Sequence, residues 1–155
     1  MRFLFFDEIL EHEPGRRALG KKTFSFDGHY FNQHFSRRPI VPGTLVMEAV
    51  AQVAGWLNFV THDERIRTVV ALVEEARLLR QIRVGETAHL AAEFLYLHPG
   101  GATMRGEAII DGEVVGKVER LVFANQAVRE EDFSTAELEH FAYLVSGSDP
   151  RKVSG

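Results

Sequence analysis

From Gly43 onward the chain carries Leu45, Val46, Met47, Ala49, Val50, Ala51, Val53, Ala54, Trp56, Leu57, Phe59 and Val60, a distribution that leaves no solvated helical face. The pattern predicts a helix over Thr44 to Val60, about 25 Å long. An all-round apolar helix belongs in a protein core or a membrane. Glu48 and Gln52 break the run one turn apart, and so share a face. A carboxylate on a buried helix is costly unless it is partnered or neutral. Chemistry is therefore expected on that polar stripe.

The remaining segments carry strand patterns. Arg2 to His12 is dense in Phe, Leu and Ile and runs into the turn Glu13-Pro14-Gly15-Arg16. Ala18 to Phe26 returns, giving a first hairpin. Asp27 to Pro42 is irregular, rich in proline, aromatics and histidine, and too apolar for an ordinary solvated loop. After the charged His62 to Arg67 connection, Thr68 to Val73 is a continuous β-branched and apolar run, as expected of a strand covered on both faces. Thr87 to Leu97 is a further strand, closed by Pro99-Gly100-Gly101. In Thr103 to Ile110, Met104, Gly106, Ala108 and Ile110 face one way, with Thr103, Arg105 and Glu107 opposite. Asp111-Gly112 is a type I′ hairpin signal, and Glu113 to Phe123 returns. Beyond Asn125, Ser134-Thr135-Ala136-Glu137 is a capping-box pattern, predicting a short amphipathic helix over Thr135 to Leu144. Ser146 to Gly155 is small and polar and expected to fray. These patterns predict an α+β fold, one long central helix wrapped by a curved antiparallel sheet of about six strands. The expected division is a domain over 1–126 and a C-terminal helix with a flexible tail over 127–155.

Composition narrows the classes. With 155 residues, 45% of them apolar and 26% charged, the chain fits one globular domain rather than a disordered or fibrous one. The absence of cysteine excludes disulfide and thiolate-metal frameworks and is compatible with a reducing compartment. The opening MRFLFFDEIL is too short for a signal segment, and Glu48 and Gln52 interrupt the best membrane candidate. A soluble, cytoplasmic protein without membrane association is expected. A net charge of −4 gives no support to nucleic-acid binding.

His34-Phe35, Pro39-Ile40-Val41-Pro42-Gly43, Leu45, Glu48-Ala49 and Gln52 form a spaced constellation. It resembles the signature HFPGxPxxPGxLxxEAxxQ of the 3-hydroxyacyl-[acyl-carrier-protein] dehydratases of FabZ/FabA type, with the His-to-Glu spacing of fourteen kept. The likeness runs roughly from Phe3 to Ala124, more loosely through Phe5-Asp7-Ile9, Glu75-Ala76-Arg77 and the Asp111-Gly112 hairpin. The chain departs from it at Ser36-Arg37, where the family commonly has Pro-Gly. The resemblance implies a hot-dog fold and a homodimer in which two sheets run together and two active sites form across the interface. A trimer of dimers is a larger assembly it leaves open. It implies His34 as the base at C2 of a 3-hydroxyacyl thioester and Glu48, from the other subunit, as the group that protonates the departing hydroxyl. It also implies the Gly43 N–H as a donor to the thioester carbonyl, Gln52 as support for Glu48, and no metal or organic cofactor.

Elementary chemistry agrees with those roles. Charge that develops on a thioester oxygen is stabilised by the oriented N–H groups and positive dipole end of a helix N-terminus. Pro42 offers no competing N–H, and Gly43 permits close approach of an acyl chain. A neutral histidine is a competent base near neutral pH, and a desolvated glutamate tends toward the protonated form.

Taken singly, Glu48 reads as a structural carboxylate and His34 as a satisfied loop histidine; their joint spacing favours chemistry. His29 and His34 lack a third ligand at metal-binding spacing. Trp56 reads most simply as packing. Arg37, Arg38, Arg77 and Arg80 read as solvated arginines or, in a net-negative protein, as a surface that steers an acidic acyl carrier protein. Three rival functions share the frame: a hot-dog thioesterase, a hydratase acting on coenzyme A thioesters, and a catalytically silent acyl- or carrier-binding protein, the last favoured only by Ser36-Arg37.

Overall fold

The computed structural model describes residues 4–25 and 39–127. In chain order these form β1 (Glu8–Glu13), β2 (Arg17–Thr23), α1 (Gly43–Thr61), β3 (Ile66–Leu78), β4 (Thr87–His98), β5 (Gly101–Ile110) and β6 (Glu113–Ala127). The six strands make one sheet in the order β1-β2-β4-β5-β6-β3, every neighbour antiparallel. Helix α1 lies across one face.

Small residues of the sheet seat the helix. Val46, Ala49, Val50, Val53, Ala54 and Leu57 recur on one helical face and are fully buried. A Cβ placed on Gly106 of β5 would lie 2.3 Å from Val50 Cγ1, and one on Gly20 of β2 would lie 2.9 Å from Val53 Cγ2. The helix thus rests directly on backbone at two points. Around them Leu90 and Ala92 of β4, Met104 and Ala108 of β5, and Val115, Val118 and Leu121 of β6 complete the core. At the far end Asn58, fully buried, donates to Thr68 Oγ1 at 2.9 Å and Asn125 Oδ1 at 2.7 Å, tying α1 to β3 and β6. By length and composition alone α1 passes as a membrane-spanning helix, yet here its apolar stripe packs on the sheet.

The hairpins follow their turn chemistry. Asp111 and Gly112 both take positive φ, 51° and 80°, the type I′ geometry that joins β5 to β6. As the period predicts, Met104, Gly106, Ala108 and Ile110 all face the helix.

Two expectations are corrected. The Thr68–Val73 run is not covered on both faces: β3 is an edge strand, and Val69, Val70, Leu72 and Val73 are exposed. The helix is not buried all round either. Thr44 and Glu48 are exposed and Met47 and Gln52 half-buried, while Val46 and Val50 between them pack on Gly116 of β6 and Gly106 of β5.

Candidate active site

The chain reaches α1 along a braced path. Ile40 bridges to Arg83, and the Val41 N–H donates to the Ile82 carbonyl at 3.0 Å, fixing the approach against the β3–β4 connection. Pro42 is the N-cap and supplies no side-chain cap. Its carbonyl accepts from the N–H groups of Leu45 at 3.0 Å and Val46 at 3.4 Å. The N–H groups of Gly43 and Thr44 come too early to find acceptors within the helix, so they present the positive end of its dipole. Gly43 sits against β3, where a Cβ would stand 3.2 Å from Leu78 Cδ2.

Glu48 lies one turn further on, and its carboxylate is oriented by a relay. Gln52 Nε2 donates to Glu48 Oε1 at 2.7 Å, while Gln52 Oε1 accepts the Phe5 N–H at 2.6 Å. A backbone N–H can only donate, so it fixes the carbonyl end of the Gln52 amide and turns the NH₂ toward Glu48. Glu48 is not a buried carboxylate within this chain, contrary to expectation; it is exposed.

Gly43, Thr44, Met47, Glu48 and Ala51 form one wall of a groove of about 420 Å³. Val70, Val73, Ala76 and Leu78 of β3 form the other, with Val118 and Leu121 of β6 beneath and Arg77 also in the lining. Further along the helix, a Cβ on Gly55 would be 3.5 Å from both Phe123 and Thr68. The groove is therefore aliphatic, with a helix N-terminus and a carboxylate on its rim. Such an arrangement can hold an acyl chain and act on polar atoms near one end of it.

Along β3, Glu75 takes φ 53°, uncommon for a residue with a side chain. Glu74 before it pairs outward with Arg120 at 2.6 Å, while Ala76 after it lines the groove. Arg77 stands 3.9 Å from the Glu75 carboxylate. Arg80 is committed within the fold: it meets Glu86 at 3.0 Å and Glu113 at 3.4 Å and donates to the Gln81 carbonyl at 2.9 Å. Hydrogen bonds from Arg80 and from the Arg83 N–H hold the Glu86 carboxyl below its usual range.

Of the residues singled out from sequence, Gly43, Glu48 and Arg77 line this groove, Gln52 is joined to it through Glu48, and Arg80 stands apart from it. His34, Arg37 and Arg38 lie outside the described residues, as do His29 and the expected C-terminal helix. Among the described residues no group of three or more His, Asp or Glu is placed to hold a metal ion. Sequence inspection missed the Phe5 main chain as the anchor of Gln52, since a backbone donor leaves no signature. It also missed Val70, Val73 and Leu78 as groove wall, because an apolar strand reads as core.

A single helix across a six-stranded antiparallel sheet, with its N-terminus and a carboxylate at a groove beside the free edge, defines a hot-dog protein built to receive an acyl chain. Residues 1–119 match the model of the FabA-like domain. The chain belongs to that family. The 3-hydroxyacyl-[acyl-carrier-protein] dehydratase FabZ of Bacillus subtilis is 37% identical over 123 residues, covering 79% of this chain and 86% of that protein. The dehydratase of the same name from Acetivibrio thermocellus is 37% identical over 116 residues, covering 74% and 80%. Among solved structures, the dehydratase heterocomplex ApeI:P from Xenorhabdus doucetiae superposes with a TM-score of 0.64 at 16% identity, covering 89% of this chain and 88% of that one. A thioesterase from Haemophilus influenzae gives 0.61 at 13% identity, covering 79% and 80%. At those identities the likeness concerns the fold alone.

Proposed function

We propose that this protein eliminates water from 3-hydroxyacyl thioesters borne by acyl carrier protein, giving trans-2-enoyl thioesters for acyl-chain synthesis. The carrying observation is that Gly43 and Glu48, the latter oriented by Gln52, line one aliphatic groove, in a chain more than a third identical to a FabZ dehydratase over most of its length. In the reaction the His34 imidazole takes a proton from C2, and charge moving onto the thioester oxygen is met by the Gly43 N–H. The C2 electron pair then forms the C2–C3 double bond as the C3–O bond breaks. Glu48 supplies a proton to the departing oxygen, which leaves as water. The proton held on His34 is returned through solvent to Glu48, so no net proton is consumed.

The working unit is a homodimer. A thirteen-residue edge strand with exposed Val70 and Val73 invites pairing with a second copy, which would extend the sheet and roof the open groove beside Glu48. Desolvation of Glu48, absent within one chain, is supplied by that second copy, which contributes its own His34 to the site. An acidic carrier approaches over Arg77, in the groove lining, and Arg83, exposed nearby; the charge of Arg80 is already spent on Glu86 and Glu113.

The test uses His34→Ala and Glu48→Gln, following enoyl absorbance and released thiol separately. Each variant alone is expected to lose hydroxyacyl–enoyl interconversion. Mixed after subunit exchange they should regain about a quarter of wild-type activity, since only one of the two sites in a heterodimer is intact. No recovery would refute the shared site, and thiol release by the wild type would replace dehydration with thioester hydrolysis.

A further inference from the structure

The outer face of the sheet carries an apolar band that the proposed reaction does not use. Tyr96 of β4 pairs with Thr103 of β5, Thr103 with Val122 of β6, and Val122 with Leu72 of β3. Thr103 alternates with buried Ala102 and Met104, and Val122 with buried Leu121 and Phe123, so the row points away from the helix. Tyr96 is 67% and Leu72 45% exposed, and exposed Val69 and Ala124 pair one step below. Tyr96, Val122, Leu72, Val69 and Ala124, with the Thr103 methyl between Tyr96 and Val122, make a contiguous band rather than scattered surface apolarity.

We propose that this band is the seat of the chain's own C-terminal segment, docked through Leu138, Phe141, Ala142 and Val145. These four residues recur at i, i+3, i+4 and i+7, one apolar stripe on a helix begun by the Ser134–Glu137 capping box. The dimensions agree. Four strands span about 14 Å from first to last axis, and a helix over 135–145 measures about 16 Å. Strand β6 ends at Ala127, about 17 Å along the strand from Val122. Residues 128–134 reach up to about 23 Å when extended, enough to bring the helix back over the band. Charge agrees as well. Arg67, exposed opposite Gln126 on the same outer face, has no ion pair among the described residues, and the connecting segment carries Glu130, Glu131 and Asp132. The docked helix removes an apolar patch from water and leaves the β3 edge and the groove clear.

The chain contains no cysteine, so introduced thiols report alone. Thr103→Cys in the full chain should react slowly with a maleimide, and adding Leu138→Asp and Phe141→Asp should accelerate labelling at least tenfold. Oxidation of the Thr103→Cys/Phe141→Cys variant should give a disulfide within one chain, whereas Ile109→Cys/Phe141→Cys, at the opposite end of β5, should not. Labelling equally fast with and without the aspartates would overturn the proposal. So would a Thr103–Phe141 disulfide formed only between chains, which would assign the band to a second copy.

Discussion

Gly106→Ala isolates the seat of the helix. The added Cβ would stand 2.3 Å from Val50 Cγ1 and 3.0 Å from the Ala91 carbonyl oxygen. Val50 is fully buried and β-branched, so in a helix it has essentially one rotamer and cannot swing aside. Relief must come from lifting α1 off β5 by roughly an ångström, and overpacking of this kind costs about 1–3 kcal/mol. The close backbone contact on the other side puts this site toward the upper end. With a urea dependence of about 1–3 kcal/mol per molar, the unfolding midpoint should fall by about 1 M. Protein concentration must be held fixed, because an oligomer's stability depends on it. Val50→Ala alone should cost about 2 kcal/mol through the cavity it leaves. In the double variant the methyl that collides is gone, so the two costs should fall short of additive by at least about 1 kcal/mol. Since Glu48 is two residues from Val50, Gly106→Ala should also lower kcat in the folded fraction. Strict additivity, with unchanged kcat, would refute the view that direct helix-on-backbone contact sets the position of the carboxylate.

Other outcomes follow from local geometry. Gln52→Leu strips the acceptor from the Phe5 N–H and the donor from Glu48, and should cost about 1–2 kcal/mol of stability. It should reduce kcat more than it changes KM; a loss of kcat no larger than the loss of folded protein would show that Gln52 only supports the fold. Glu86 has its carboxyl held below the unfolded value by Arg80 and the Arg83 N–H. Its stabilisation is thus present above the unfolded pKa, about 4.3, and is lost as pH falls through the folded value. Glu86→Gln should therefore lose about 1–2 kcal/mol near pH 7, and urea titrations should show that deficit shrinking toward pH 3; a deficit independent of pH would exclude the ion pair as its source.

Much of this protein is decided by local sequence. The period of two in Thr103–Ile110 places Gly106 and Ala108 beneath the helix without reference to any other strand, and Asp111-Gly112 fixes the hairpin, because only residues tolerant of positive φ fit a type I′ turn. The four-residue spacing of Glu48 and Gln52 likewise determines that they share one face of a helix, since 3.6 residues per turn leaves no alternative. What local pattern cannot carry is which neighbours an element lacks. Thr68 to Val73 reads as a doubly covered strand, and only strand order shows it to be an edge. Nor does composition, which assigns Glu48 to a buried helix, show that its side chain is left exposed. The anchoring of Gln52 by the Phe5 main chain, and the diversion of Arg80 to Glu86 and Glu113, are contacts between residues distant in the chain. Side-chain type sets what each residue is able to do; the order in which strands meet, a matter of packing the whole chain at once, decides which of them face a groove, a partner or water.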